Sequence, residues 1–245
     1  MNEVPSLTAI TEELVAELAH LQAGPPVAFI YRPLEYASAV HHELVRRFGV
    51  HPRRYLLVGM NPGPWGMAQT GVPFGAVSKV RDWLGLTAPI DRPSREHPKR
   101  PVLGFDCQRE EVSGRRLWSW AQQTYGTPES FFESFWVTNY CPLLFLDEKG
   151  RNVTPDKLAK RDRERILPPC DRALALTAQA LSIQKIVAIG VWAEQRVRIA
   201  CAHLPLEIGR ILHPSPASPA ANRGWATIAT RQLRDLGVEL PPEHP

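Results

Sequence analysis

Cysteine is scarce in this chain. The four residues, Cys107, Cys141, Cys170 and Cys201, stand 34, 29 and 31 positions apart. Without a C-x-x-C pair a zinc or iron–sulfur site has little support, and scattered thiols read as small buried apolar residues. No apolar run approaches the roughly 18 residues that span a bilayer. The start is polar and acidic (Asn2, Glu3, Glu12, Glu13), so no signal peptide is visible and a cytoplasmic protein is expected. Internal repeats and low-complexity segments are also missing; the 24 prolines sit in short loops and at helix starts. Lys+Arg 29 against Asp+Glu 25 gives +4, which is compatible with a polyanionic partner without indicating one. A charged share of 22% and a hydrophobic share of 44% are those of an ordinary soluble globular chain. At 245 residues it can bury a sizeable core in one large domain or two small ones.

What is present is organised around residues 59–75, GMNPGPWGMAQTGVPFG. This stretch follows an apolar strand-like run, Tyr55–Val58, and precedes helical spacing from Ala76 to Leu86. Loops longer than about 12 to 15 residues are uncommon in compact domains unless functional or disordered, and Met60, Trp65, Met67, Val72 and Phe74 argue against disorder. A plain surface connection is the alternative. Periodicity predicts helices over 8–21, 36–48, 113–125, 156–166, 172–181, 193–203 and 219–236. Strands are predicted near 55, 135, 186 and 208. Thr127-Pro128 and Thr154-Pro155 are helix-start signatures. Residues 91–109 are irregular and partly basic (Arg92, Arg95, His97, Lys99, Arg100), either a solvated loop or a phosphate-contacting one.

Strands alternating with helices predict an α/β fold, with helices on both faces of a mainly parallel sheet. Parallel strands deliver their carboxyl ends to one edge, where open α/β sheets bind ligands. Asn61, Asn139 and His213 each follow a strand, so residues 78 and 74 positions apart could converge there. Each also has a plain alternative: an Asx turn before Pro62, a backbone bridge, or a satisfied turn histidine. Together they suggest more. An asparagine offers a donor and an acceptor that match an imide edge such as that of a pyrimidine. Phe74 supplies a stacking face, a histidine can hydrogen-bond an oxygen gaining charge, and a second asparagine can orient water. The key loop has no carboxylate, and no Ser-His-Asp set is visible. This inventory suits a reaction whose leaving group departs early, such as N-glycosidic cleavage through an oxocarbenium-like transition state. The base would have to leave the helix stack to reach the pocket.

GMNPGPWGMAQTGVPFG at 59–75, NYCPL at 139–143 and HPSPASPAANRGW at 213–225 resemble the signatures of single-strand-selective monofunctional uracil-DNA glycosylases. The resemblance covers about residues 30 to 236. It implies an α/β/α sandwich around a four-stranded parallel sheet, in a single domain spanning 1–245. The helix at 8–21 would be peripheral and 237–245 a tail. It implies DNA repair: removal of uracil and 5-hydroxymethyl-type uracils from single- and double-stranded DNA, leaving an abasic site. By resemblance Asn61 positions the hydrolytic water, Phe74 stacks on the flipped base and Asn139 reads its edge. His213 stabilises the leaving anion, and Met60 and Gly63 shape the space beside the 5-position. Ser215, Pro216, Ala217, Ser218 and Asn222 would contact DNA. Independently, Ser218-Pro219 is a cap followed by a first-turn proline, so backbone donors there could hold a phosphate. Family members carry a larger basic residue where Ala217 stands, which implies weaker duplex insertion and product-site holding here. No cofactor and no metal are implied. A monomer, associated with the nucleoid if the source is bacterial, is expected. Two rivals remain: a relative specific for hypoxanthine or xanthine, and a non-catalytic nucleic-acid-binding module.

Overall fold

The computed structural model describes residues 4–242. The polar start at Asn2 and Glu3 and the last residues of the tail, 243–245, lie outside them. The strands are β1 (Phe29–Tyr31), β2 (Tyr55–Gly59), β3 (Phe135–Asn139), β4 (Leu144–Leu146), β5 (Lys185–Ile189) and β6 (Glu207–Ile211). The helices are α1 (Leu7–Leu18), α2 (Pro33–Tyr36), α3 (Ser38–Phe48), α4 (Met67–Thr70), α5 (Val112–Tyr125), α6 (Pro128–Ser134), α7 (Lys160–Ala180), α8 (Val191–Ala200), α9 (Pro219–Asn222) and α10 (Trp225–Asp235).

The four expected strands form one parallel sheet in the order β3-β2-β5-β6. Every residue of β2 and β5 is buried, as a sheet covered by helices on both faces requires. The edge strand β6 instead alternates, with Glu207 and Arg210 outward, charges that discourage pairing with another chain. Thr127 caps α6 by accepting from the Ser130 amide, as its sequence predicts. Helix α5 is anchored by buried Trp118 and Trp120. Trp118 meets Phe131 edge-on at 5.7 Å, and the Trp120 indole donates to Thr230 of α10 at 3.0 Å. That anchoring matters because α5 carries side chains into the site described below.

Several expectations need correction. A small antiparallel sheet, β1 with β4, escapes sequence detection because each strand has only three residues. The helix expected from 156 is a single turn, Pro155–Lys157; α7 then runs unbroken across both helical patterns and over Pro168 and Pro169. The carbonyls those prolines leave without donors belong to exposed Glu164 and Arg165, where water can serve them. The expected helix over 76–86 contracts to a wide turn at Lys79–Trp83. The last helix divides at Gly224, whose φ of 113° a side chain would not tolerate. The helix expected to be peripheral, α1, buries Leu7, Ile10 and Leu18 and packs on α7. All four cysteines are buried and unpaired, as expected. No helix among the described residues is long and apolar enough to cross a membrane.

Candidate active site at the carboxyl edge of the sheet

Asn61 follows β2, Asn139 ends β3, and His213 follows β6. The first two are in one place because the chains after β2 and β3 stay paired beyond the sheet. The Tyr140 amide donates to the Gly59 carbonyl and the Cys141 amide to that of Met60, each at 2.9 Å. Gly59 is the keystone, and sequence reading did not single it out. A Cβ there would lie 2.5 Å from the Phe74 ring and 2.6 Å from Asn139 Oδ1. Only glycine lets the aromatic face and the amide meet over the end of β2.

Phe74 adopts φ 56°, the left-handed region that non-glycine residues seldom occupy. Its surroundings enforce this. The Phe74 carbonyl presses on α5 where a Cβ at Gly114 would approach it to 2.0 Å. The Trp118 indole holds the Pro73 carbonyl at 3.2 Å, and the Thr70 hydroxyl that of Gly75 at 3.2 Å. The rest of the loop is tied down by buried polar side chains. Gln69 donates to the Pro64 and Pro101 carbonyls and accepts from the Leu103 amide. The Tyr36 hydroxyl donates to Ala68 at 2.6 Å, and the His41 ring meets the Gly71 carbonyl at 3.3 Å. Burial drives His41 down to about 4, so its imidazole is neutral at pH 7.

Asn61 turns its amide nitrogen inward, toward the carbonyls of Pro62 and Leu143 at 3.3 Å and Asn152 Oδ1 at 3.4 Å. That fixes which end faces out: Oδ1 takes no protein hydrogen bond among the described residues and can accept one from water. Asn152, missed in the sequence, also donates to the Pro62 carbonyl at 3.1 Å and reaches this point through a bridge to Leu146 of β4. Its only signal was proximity to a strand too short to recognise.

Asn139 Nδ2 rests on the Met67 sulfur at 3.2 Å, a weak acceptor that a carbonyl oxygen would readily replace. The next residue, Tyr140, locks this turn to two helices. Its hydroxyl donates to Asp171 of α7 at 2.7 Å and accepts from Arg196 of α8 at 3.2 Å. Burial and the adjacent carboxylate raise the Tyr140 pKa, so it stays a phenol.

His213 stands beyond β5, about 10 Å from β2 by ordinary strand spacing. It packs over Gly190, where a Cβ would come within 3.4 Å of its own and where φ is 97°. Burial lowers its pKa, leaving a neutral ring able to donate one N–H. No hydrogen bond joins it to Asn61, Phe74 or Asn139 among the described residues; what it shares with them is the carboxyl edge of the sheet.

The segment after His213 is more open. Ser215 Oγ accepts from the Ala217 amide at 3.1 Å, Ser218 caps α9, and Pro216 and Ala217 are exposed. Helix α9 has only four residues, and its Ala221 amide is taken by Ser218 itself. Arg116 of α5, also missed, donates to the Pro214 carbonyl and to Asn222 Oδ1 at 3.0 and 2.8 Å, while Asn222 Nδ2 holds the Pro216 carbonyl at 2.8 Å.

The basic segment 91–109 is partly structural. His97 is 3% exposed, its Nδ1 accepts from the Lys99 amide and its Nε2 donates to the Glu148 carbonyl, so it is no phosphate ligand. Arg100 and Arg109 place their guanidinium groups 5.3 and 4.7 Å from the Trp65 ring. Sequence also hid a carboxylate: Glu111, at the start of α5, lies against Gly63 of the loop. Among the described residues no group of three or more His, Cys, Asp or Glu is arranged to hold a metal.

No protein-family model matches the chain. Curated relatives do. It is 49% identical over 224 residues to the single-strand selective monofunctional uracil DNA glycosylase of Bos taurus, covering 91% of this chain and 82% of that one. It is 49% identical to the protein of that name from Rattus norvegicus over 227 residues, 92% of this chain and 82% of the other. The Mus musculus protein is 48% identical over 227 residues, 92% and 81%. Among solved structures, Pedobacter heparinus SMUG2 superposes with a TM-score of 0.66 at 15% identity, covering 93% of this chain and 97% of that one, a likeness of fold. The chain belongs to the single-strand selective monofunctional uracil-DNA glycosylases, DNA-repair hydrolases that act on N-glycosyl bonds.

Proposed function

We propose that this glycosylase releases uracil and 5-hydroxymethyl-type uracils from single- and double-stranded DNA, leaving an abasic site. The observation that carries the reading is the meeting of the Phe74 ring and the Asn139 amide over Gly59. A stacking face and a donor–acceptor pair at one point are what a flipped pyrimidine requires.

In this reading Phe74 stacks on the base. Asn139 Oδ1 accepts from the ring N–H, and its Nδ2 exchanges the Met67 sulfur for a base carbonyl. The neutral His213 imidazole donates to the carbonyl oxygen that gains charge as the glycosidic bond lengthens; such preorganised donors stabilise a leaving anion without reorganising. Asn61, held by its nitrogen, offers Oδ1 to the water that adds to the oxocarbenium-like sugar. Water oxygen bonds the sugar carbon, the base departs with the electron pair of the broken glycosidic bond, and the proton the water sheds ends on the released base. Met60 and Gly63 flank the 5-position. Ser215 to Ser218 and Asn222 contact the strand, and Arg109, which has no acidic partner among the described residues, extends that contact beside Trp65. The enzyme works without a metal, as a monomer in one domain, in the cytoplasm.

Single-turnover base release from oligonucleotides carrying uracil, 5-hydroxymethyluracil, hypoxanthine or xanthine, single- and double-stranded and with chelator present, tests this. Release of the two pyrimidines alone is expected. Release of only the purines would establish the altered-specificity relative. Binding without any release would establish a non-catalytic module.

A further inference from the structure

The key loop contains no carboxylate, yet folding delivers one to it. Glu111 occupies the N-cap position of α5, but its side chain caps nothing. It turns instead into the loop: a Cβ at Gly63 would lie 1.8 Å from both its carboxylate oxygens, and one at Gly66 would lie 2.9 Å from Oε2. Two glycines thus leave open the volume the carboxyl fills. Oε2 is buried and has no hydrogen-bond partner among the described residues. An acidic group so placed is expensive as an anion and cheap as a neutral acid.

We propose that Glu111 is a positioning residue for base release: its carboxyl, seated against Gly63 and Gly66, holds the turn that carries Asn61 and the wall beside the base's 5-position. This rests on the base-release reading above. The charged side chains around it are engaged elsewhere or exposed. Arg109 lies over Trp65, Glu110 bonds Ser78, Arg116 reaches the His213 loop and Arg115 faces solvent. Residues 61–66 bring no charge, and no ion pair reaches Glu111 among the described residues. Burial raises its pKa to about 7, with the Trp65 main-chain amide partly offsetting. The neutral acid therefore predominates below pH 7, and the turn is disturbed as the carboxylate forms above it.

The test measures single-turnover release of uracil and of 5-hydroxymethyluracil from single-stranded oligonucleotides between pH 5.5 and 9, for wild type, Glu111→Gln and Glu111→Ala. A displacement of about 1 Å at a catalytic group can cost about 100-fold. Glu111→Ala should therefore lose about tenfold or more on uracil and change the ratio between the two bases, while oligonucleotide affinity stays within about twofold. Glu111→Gln should rescue the rate and abolish the fall above about pH 7. Wild-type rates, ratio and pH profile in both variants would overturn the proposal; should Glu111→Ala not fold, an alkaline limb unchanged in Glu111→Gln overturns it alone. Wild type silent on both bases would instead overturn the base-release reading, and the role of Glu111 with it.

Discussion

The loops after β2 and β6 both reach the candidate site, but they are built differently. From Pro62 to Gly75 the first is largely buried, and it is held by Gln69, Thr70, Tyr36, His41 and Trp118 through bonds to its own backbone. The second, after His213, exposes Pro216 and Ala217 and is held at its rim by Arg116 and Asn222. The proposed function accounts for the contrast: groups that meet a base within a few tenths of an ångström would need a rigid, satisfied frame, whereas a segment that follows a variable DNA backbone would need surface and freedom.

The sharpest way to break the rigid side is Gly59→Ala. The added methyl would meet the Phe74 ring and Asn139 Oδ1 at 2.5 and 2.6 Å, so one of them must move. Base release should fall by at least about 100-fold, with oligonucleotide affinity much less affected, in a single-turnover assay paired with a binding titration.

Next in size is the effect of pH on stability, since the frame buries His41. Its folded pKa of about 4 lies below the ordinary value of 6.5. Between the two, the unfolded chain binds a proton the folded one does not, so stability falls as pH drops from 6.5 toward 4, by about 3 kcal/mol in the limit. Glu111, raised to about 7 from 4.5, acts oppositely in the same window, losing stability as pH rises. Urea titrations of Glu111→Gln should therefore uncover the acid loss, and adding His41→Asn should flatten it.

On the open side effects should be smaller. Arg116→Ala removes its bonds to Pro214 and Asn222, each worth about 1 kcal/mol. It should weaken DNA binding by about fivefold while leaving the chemical step of bound substrate nearly intact. Smallest is Ala217→Arg, which should strengthen duplex binding modestly and steepen its log–log salt dependence by about 1, readable by fluorescence anisotropy.

The parallel sheet was legible because Tyr55–Val58, Phe135–Val137 and Lys185–Ile189 are apolar runs between helical patterns. From that sheet the shared edge of Asn61, Asn139 and His213 follows. What stayed hidden has physical reasons. Asn152 depends on β4, too short to carry a periodic signal. Gly59 matters for what it lacks, a Cβ between two side chains 15 and 80 residues downstream. Glu111 and Arg116 belong to a helix whose buried face predicts packing, while the residues at its start and flank that reach the loops leave no periodic trace. His97 shows the converse: amid basic neighbours it read as surface charge, yet it is buried by local backbone bonds.

The measurement that bears most directly on the site is single-turnover release of uracil from one labelled single-stranded oligonucleotide by wild type, Asn61→Ala and His213→Ala, with affinity for the same strand measured in parallel. The catalytic roles proposed for Asn61 and His213 require rates lowered by about 100-fold or more in both variants, with affinities within a fewfold of wild type. Wild-type rates in either variant, or losses matched by equal losses of binding, would contradict it.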